Sequence, residues 1–455
     1  MTPIDVLNDD ILLAIFDFYV AENIYENTKR AIESWQKLVH VCSQWRCITF
    51  ASPRRLDLQL VCTPGTPVRE TLDVWPALPL IVDCTISSTS VDNIVVALGH
   101  SDRVCRINLR ITAGLQWDKV LAAMQVPFPA LTCLLLYCDR DRNRTAPIIP
   151  DTFLGGSAPR LRYLRMYYTP FPGIPILLLS ATHLMRLDIS EIPLSGYISP
   201  KAMATFLSEL TSLYSLSLSL GFSYSRSRRR PPPMTRPILP GLTTFRFNGV
   251  SEYLDDLVER IDAPRLDNLF ITFPVDQMNF DTPHLVQFIS RTPRFQEPNE
   301  AHVTLSHEVD IQLLWASDDH VGLHVELSCS YEDSGVDIPV DPERPGPSSI
   351  AQICTMCLPP LPTVESLRLE VFSDYLYSES VWDDVEKDQW LELLRPFSAV
   401  KSLYISKDSV PGFADALKEL IGSRATELLP SLLQENIGEF VPPRPFSGPM
   451  YVILD

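Results

Sequence analysis

Several features that would assign this 455-residue sequence to a common class of protein are missing. No apolar run approaches the roughly 20 residues that a membrane-spanning helix needs, and residues 174–179 form one of the longest. The first five residues carry neither the basic region nor the apolar core of a signal peptide. We therefore expect a cytoplasmic or nuclear protein with no membrane as partner.

Positive charge is also scarce. Lysine and arginine number 38 against 56 aspartates and glutamates, which gives a net charge of −18. Such a charge disfavours general binding to nucleic acid or to an anionic membrane, so we expect neither. The one strongly basic stretch, residues 223–237 with five arginines, is interpreted as a flexible loop. We interpret it as a solvated loop with no dedicated role, with an import signal or a phosphate-binding patch as the alternatives.

Motifs that carry chemistry are absent as well. The ten cysteines are scattered and mostly sit in apolar segments, which is typical of free thiols in a reducing compartment. Cys354 and Cys357 lack the second pair that a zinc site needs, so we predict two buried helix residues. His307 is not followed by the second histidine of a zinc protease, and no phosphate-cradling glycine motif exists. The sequence predicts no catalytic residue, no cofactor and no metal, hence no enzyme.

What the sequence does contain is a repeated pattern, apolar-x-x-apolar-x-apolar. The first seven copies start 23 to 30 residues apart, which fits or slightly exceeds the spacing of leucine-rich repeats. Each copy predicts a short strand, and prolines before several copies end the preceding helix. The nine copies begin at Val104, Leu131, Leu161, Leu184, Leu213, Leu242, Leu266, Val364 and Val400.

Stacking such units predicts an α/β fold, with parallel strands and one continuous core. Because the asparagine or cysteine that usually follows the apolar triplet is mostly missing, we expect an irregular leucine-rich-repeat-like solenoid over residues 53–455. A doubly wound α/β domain is the alternative. Between residues 273 and 362 the repeat blurs, and residues 333–349 are predicted to form a proline-rich loop.

The first 52 residues form a predicted helical head. Asn8 or Asp9 can cap a helix, and Ile11, Ile15 and Phe18 recur at helical spacing. Further along, residues 41–46 read Val-Cys-Ser-Gln-Trp-Arg. Helices this short bury too little surface to be stable alone, so we expect the head to lean on the rest of the chain or on a partner.

This head resembles an F-box, the helical module that docks a Skp-type adaptor in cullin–RING ubiquitin ligases, and the whole chain resembles a fungal-type F-box protein. The family pattern runs from Leu-Pro through an aliphatic pair and Ile-Phe to Val-Cys-x-x-Trp-Arg. Two departures are Asn8 in place of the proline and a longer linker, residues 22–33. The resemblance implies an adaptor-binding surface formed by Leu7, Ile11, Leu12, Ile15, Phe16, Val41, Cys42 and Trp45.

The function that the resemblance implies is that of a non-catalytic substrate-recognition subunit of a Skp–cullin–F-box ligase. The head would dock the adaptor and through it a cullin, while the solenoid would bind an unknown target protein. Two alternatives are open: an interaction scaffold whose head is only a helical cap, and a hydrolase of unfamiliar type.

Overall fold

The computed structural model describes most of the chain. The described residues are 8–22, 35–53, 56, 58–65, 67–87, 89–111, 117–139, 148–171, 174–220, 236–274, 280–306, 309–315, 318–328, 346–371, 385–406, 413, 416, 429–431 and 451–454. They divide into two compact units, residues 1–197 and residues 198–455, which are taken separately below. Of the helices described, none combines the length and the apolar character that crossing a membrane requires.

Unit 1 begins with three helices, and strands then alternate with helices or short turns. The helices are α1 (Asp9–Glu22), α2 (35–39), α3 (Ser43–Ala51), α4 (Val68–Val74), α5 (Val91–Leu98), α6 (Trp117–Ala123) and α7 (Ile174–Ser180). The strands are β1 (Leu60–Cys62), β2 (Leu80–Ile86), β3 (Val104–Ile111), β4 (Cys133–Cys138), β5 (Tyr163–Tyr167) and β6 (Arg186–Ile192). Single 3₁₀ turns lie at Phe153–Gly156 and Leu194–Gly196.

The six strands of unit 1 are all parallel, and their order in the sheet is their order in the chain. A doubly wound sheet instead reverses its order at a switch point. Matching positions of the repeat stand side by side, so that Ile107 pairs with Leu134 and Leu134 with Leu164. These apolar side chains are fully buried, while the alternate positions on the strands are more accessible. The sheet therefore has one core face and one open face.

The helical head packs against the start of this sheet. Trp35 on α2 is buried and donates its indole N–H to the carbonyl oxygen of Gln59, 3.0 Å away. Its ring also meets the rings of Trp75 and Phe50 edge-on, with centroids 5.3 and 6.2 Å apart. Aromatic pairs of this geometry stabilise the folded state by more than the burial of their apolar area alone would. The head thus shares a core with the residues that follow it.

Unit 2 contains five helices and nine strands among its described residues. The helices are α8 (Pro200–Leu207), α9 (Ser251–Val258), α10 (Pro283–Arg291), α11 (Pro347–Gln352) and α12 (Lys387–Leu394). The strands are β7 (Ser215–Leu220), β8 (Thr244–Asn248), β9 (Asn268–Pro274), β10 (Glu300–Leu305), β11 (Val309–Trp315), β12 (Asp318–Ser328), β13 (Ser366–Val371), β14 (Ser402–Ser406) and β15 (Tyr451–Leu454). A 3₁₀ turn lies at Pro293–Phe295, and a π-helical turn at Ile353–Cys357 follows α11 directly.

The sheet of unit 2 is mixed, with the order β7-β8-β9-β12-β11-β10-β13-β14-β15. Strand β12 pairs in parallel with β9, and β10 pairs in parallel with β13. Between them β11 is antiparallel to both of its neighbours, and β15 is antiparallel to β14. Strands β11 and β12 therefore form a hairpin inserted between β9 and β10. This insertion accounts for the blurred repeat between residues 273 and 362.

A buried carboxylate joins two helices of unit 2. Asp255 on α9 is fully buried, and its Oδ1 accepts the backbone N–H groups of His284 and Leu285 at 2.8 and 2.9 Å. These two groups lie in the first turn of α10, where no carbonyl of the same helix is available to them. The negative charge also suits the positive end of the helix dipole. Asp255 thus caps α10 from a neighbouring helix.

The predicted α/β class with a mostly parallel sheet is confirmed. All nine repeat copies lie at strands, and every apolar residue of their triplets is at most 3% exposed. Leu56, Leu58 and Leu60 alternate along the chain like the inward-facing residues of a strand. Of the three only Leu60 lies in β1, since the backbone N–H groups of Leu56 and Leu58 donate to the carbonyl oxygens of Ser52 and Pro53.

The predicted boundaries of the two loops and of the head agree with the structure only in part. The last residues of the predicted loop 333–349 belong to α11, which begins at Pro347. Most of that loop and residues 223–235 of the basic loop lie outside the described residues. Of the basic loop, Arg236 is described, and it donates to the carbonyl oxygen of Glu259 at 2.7 Å. The boundary after residue 52 differs from the division at residue 197, and a separate domain 1–52 stays a prediction.

Candidate interaction surfaces

The first helix of the head has a well-formed start. Asn8 stands at the N-cap of α1, and its side-chain oxygen accepts the backbone N–H of Ile11 at 2.9 Å. Asp9 and Asp10 follow in the first turn, where negative charge is favourable. The asparagine that replaces the proline of the F-box pattern therefore supplies a cap of its own.

One side of α1 presents apolar side chains to solvent. Ile11, Ile15 and Phe18, at positions i, i+4 and i+7, are 47%, 46% and 71% exposed. A shallow depression of about 470 Å³ lies here, and its described lining comes from α1: Asn8, Asp10, Ile11, Ala14, Ile15 and Phe18. We call Ile11, Ile15 and Phe18 the α1 stripe. Such a stripe, carried by one helix face, is a candidate binding surface for another apolar surface.

The opposite side of α1 is buried. Leu12 and Phe16 are 1% and 0% exposed, and the ring of Phe16 packs on the indole of Trp45 with centroids 4.7 Å apart. Leu12 and Phe16, both predicted at the adaptor-binding surface, are thus buried within the head, and their contact with an adaptor stays a prediction. Both hold α1 against α3, because the helix is apolar on two faces and the head covers one of them.

The second half of the predicted site is more exposed. Val41 is 58% exposed, and Cys42 is exposed at the N-cap of α3, where its sulfur accepts the backbone N–H of Trp45 at 3.5 Å. Arg46 donates from Nε to the carbonyl oxygen of Val39 at 2.9 Å, which closes the turn between α2 and α3. Trp45 itself is partly exposed. Leu7, also predicted at this surface, lies outside the described residues.

The open face of the unit 1 sheet, strands β2 to β6, carries arginines and tyrosines. Arg106 and Arg110 lie on β3, and Arg186 lies on β6. Between them, Arg165 on β5 forms an ion pair with Asp188 at 2.9 Å, and its guanidinium lies 5.5 Å from the ring centre of Tyr137. This face of an acidic chain is locally basic and aromatic.

The open face of unit 2 carries a polar ladder across β10 and β13. Glu300 receives His302 Nε2 at 2.8 Å and Arg368 Nε at 2.7 Å. The hydrogen bond from His302 and the charge of Arg368 hold the pKa of Glu300 below its usual range, against the opposing effect of burial. Within the ladder, Glu300 is thus the hydrogen-bonding partner of His302 and the ion-pair partner of Arg368.

On the same face, β12 contributes His324, and its neighbours β9 and β11 contribute Phe270 and Asp310. The ring of His324 lies 6.0 Å from that of Phe270, and its Nε2 is 3.8 Å from Asp310 Oδ1, beyond a direct hydrogen bond. Burial lowers the pKa of His324, because a charged imidazole is poorly solvated there. We therefore expect His324 to be neutral near neutral pH.

The remaining sequence candidates are structural. Cys354 and Cys357 are buried, and burial raises the pKa of the Cys357 thiol to about 11 and that of Cys354 further. Across the described residues, no group of three or more potential metal ligands comes together. Trp315 and Trp390 are buried as well, while Trp382 lies outside the described residues.

Two sets of surface residues were not in the predicted site. Phe18 is the most exposed member of the α1 stripe, and its spacing from Ile11 in the sequence was the available signal. The open-face arginines and tyrosines had no such signal, because polar positions between buried ones follow no recognisable motif.

Comparison with known proteins does not assign the chain to a family. No protein-family model matches the chain, and no curated protein matches it significantly.

Proposed function

We propose that the chain is the substrate-recognition subunit of a Skp–cullin–F-box type ubiquitin ligase. The head, residues 1–52, would dock a Skp-type adaptor, and the region from residue 53 onward would form an irregular leucine-rich-repeat-like array that binds a target protein. The chain itself would catalyse no reaction. It would hold the target at a high local concentration beside the ligase.

The observation that carries the proposal is the α1 stripe. Ile11, Ile15 and Phe18 expose apolar surface on a helix that is already packed on its other side through Leu12 and Phe16. Exposed apolar surface of this kind is typical of a docking site. The stripe lies on the first helix of the segment that resembles an F-box, where adaptor contacts are expected.

The array part of the proposal is supported by the strand order of unit 1 and by the register of its repeats. Successive strands are neighbours in chain order, and equivalent apolar residues pair with one another from β3 to β6. In a repeat array each unit contacts its neighbours in the same way, which gives this order and register.

The second candidate is an interaction scaffold without a ligase. It is favoured by the packing of Trp35 on Trp75 and by its hydrogen bond to Gln59, since a head that shares a core with the following residues can act as a structural cap. The two candidates differ in whether the α1 stripe has a partner.

Co-expression with a Skp-type adaptor, followed by gel filtration, separates them. The proposal predicts a one-to-one complex. It also predicts a higher yield of non-aggregated protein than when the chain is expressed without the adaptor, because the adaptor would cover the α1 stripe. The matched control is Ile15→Asp with Phe18→Asp, which should abolish the complex and leave the circular dichroism spectrum unchanged. An unaltered elution volume with the wild-type chain and adaptor would reject the ligase function.

A further inference from the structure

The open face of unit 1 brings three arginines together around tyrosines. In one row across the sheet, Arg106, Tyr163 and Arg186 align through the register of β3 to β6. In the row four residues further along, Arg110 aligns with Tyr137 and Tyr167. We call Arg106, Arg110, Arg186, Tyr137, Tyr163 and Tyr167 the arginine–tyrosine face.

These arginines differ from the other charged groups of the sheet. Arg165 is neutralised by Asp188, which is itself only 4% exposed and also accepts a hydrogen bond from Ser190. Asp83 likewise accepts from the side chain of Asn108 at 3.1 Å. For Arg106, Arg110 and Arg186, by contrast, no ion pair or side-chain hydrogen bond is found within the described part of the chain. Among the described residues, these three guanidinium groups therefore have no ion-pair partner.

The spacing of these charges indicates an extended partner. Strands lie about 4.8 Å apart, so the backbones of Arg106 and Arg186, three strands apart, are separated by about 14 Å. Arg106 and Arg110 are separated along β3 by about 13 Å, since a strand rises about 3.3 Å per residue. Guanidinium groups that start this far apart suit several separate carboxylates better than one compact anion.

The aromatic rings between the arginines add contact area. Tyr163 is 37% exposed, and Tyr137 and Tyr167 are half-buried on neighbouring strands. Tyrosine and arginine are the residue types enriched at the energetic centres of protein interfaces, where they combine apolar contact with polar bonding. Rings flanked by free guanidinium groups are an arrangement that a peptide can cover with alternating acidic and apolar side chains.

We propose that the arginine–tyrosine face binds an extended protein segment rich in aspartate and glutamate. The chain carries a net charge of −18. At physiological salt, however, charges more than about 8 Å from a bound peptide are largely screened, so the nearby arginines dominate the electrostatic interaction with it. Nucleic acid fits less well, because its phosphates would continue past three arginines onto an acidic protein. The proposal names the class of target for the proposed receptor, and the binding itself does not require the head.

A random 12-residue peptide library displayed on phage and selected on the immobilised full-length chain tests this. Selected peptides should be enriched in aspartate and glutamate at several positions. Their affinity, measured by fluorescence anisotropy, should fall as sodium chloride is added. Enrichment without an acidic bias, or no enrichment above background, would overturn the proposal.

Two triple variants of equal charge locate the site. Arg106→Gln with Arg110→Gln and Arg186→Gln removes three positive charges from the face, which takes the net charge from −18 to −21. The control makes the same change at three exposed arginines elsewhere: Arg69, Arg160 and Arg265.

The face variant should lose at least tenfold in affinity for the selected peptide, while the control stays within twofold, with both folded by circular dichroism. Equal losses in the two variants would show a general charge effect and reject this face. A 12-nucleotide uridine RNA that binds more tightly than the peptide, and is lost only in the face variant, would assign the face to nucleic acid instead. Adaptor binding is measured on the same variants and should be unchanged, so failure of this proposal and failure of the ligase function give different results.

Discussion

Two phenylalanines on α1 allow adaptor binding to be separated from folding of the head. Phe18 is 71% exposed and Phe16 is fully buried, two residues apart on the same helix. The perturbation is the same for both, truncation to alanine. If the α1 stripe docks an adaptor, Phe18→Ala should weaken binding and leave stability almost unchanged, whereas Phe16→Ala should lower stability first.

The size of the binding loss follows from the exposed area. An aromatic side chain buries about 200 Å² when covered, so the exposed part of Phe18 offers about 140 Å² to a partner. At about 25 cal/mol per Å² this area corresponds to about 3.5 kcal/mol, of which alanine keeps a part. A loss of about 2 to 3 kcal/mol remains, in the range of an interface hot spot, and it weakens binding about 30- to 150-fold.

For stability, Phe16→Ala should have the larger effect and Phe18→Ala the smaller one. Removing the fully buried ring of Phe16, which packs on Trp45, should cost about 3 to 5 kcal/mol of unfolding free energy. Phe18→Ala at an exposed position should change it by about 0.5 kcal/mol or less. Isothermal titration calorimetry with a purified Skp-type adaptor measures binding, and urea unfolding measures stability. Wild-type affinity in Phe18→Ala, with an adaptor that binds the unaltered chain, would refute the assignment of the stripe.

Two further predictions concern unit 2. Since burial lowers the pKa of His324 below 6.5, the unfolded chain binds more protons below that pH, and stability should decline as the pH falls through this range. His324→Gln should remove this part of the decline in urea unfolding between about pH 7 and about pH 5, and an unchanged decline would contradict it. Asp255→Ala should cost about 3 kcal/mol, because two N–H groups of α10 lose a charged acceptor. The exposed Asp267→Ala is its control, and equal thermal shifts in the two variants would argue against the cap.

The sequence was most informative where burial leaves a periodic trace. The triplet Leu131, Leu134 and Leu136 could be recognised because every member faces the core, and its counterparts recur at similar spacing. The alternation of Leu56, Leu58 and Leu60 looked equally strand-like, yet hydrogen bonds to Ser52 and Pro53 place the first two in turns. Local alternation alone does not determine which backbone partners are available.

The candidate surfaces were harder to predict for a physical reason. Helix α1 is apolar on two sides, so its sequence does not reveal that Leu12 and Phe16 face the head while Ile11 and Ile15 face solvent. That division depends on α3 and on the ring of Trp45, which are distant in the chain. The arginine–tyrosine face depends in the same way on strand register.

The hairpin of β11 and β12 has a consequence for how the chain could lengthen or shorten. Following the pairs across the sheet, Leu269 stands beside Leu323, Leu323 beside Leu313, Leu313 beside Ala301, and Ala301 beside Leu367. The insertion of β11 and β12 therefore leaves the register between β9 and β10 unshifted. Without them β10 could pair directly with β9 and keep every core side chain on its present side, since a shift of one residue is what reverses the faces. The hairpin is therefore a module that evolution or an engineer could excise or add, changing the width of the sheet by about 10 Å without altering the alignment on either side.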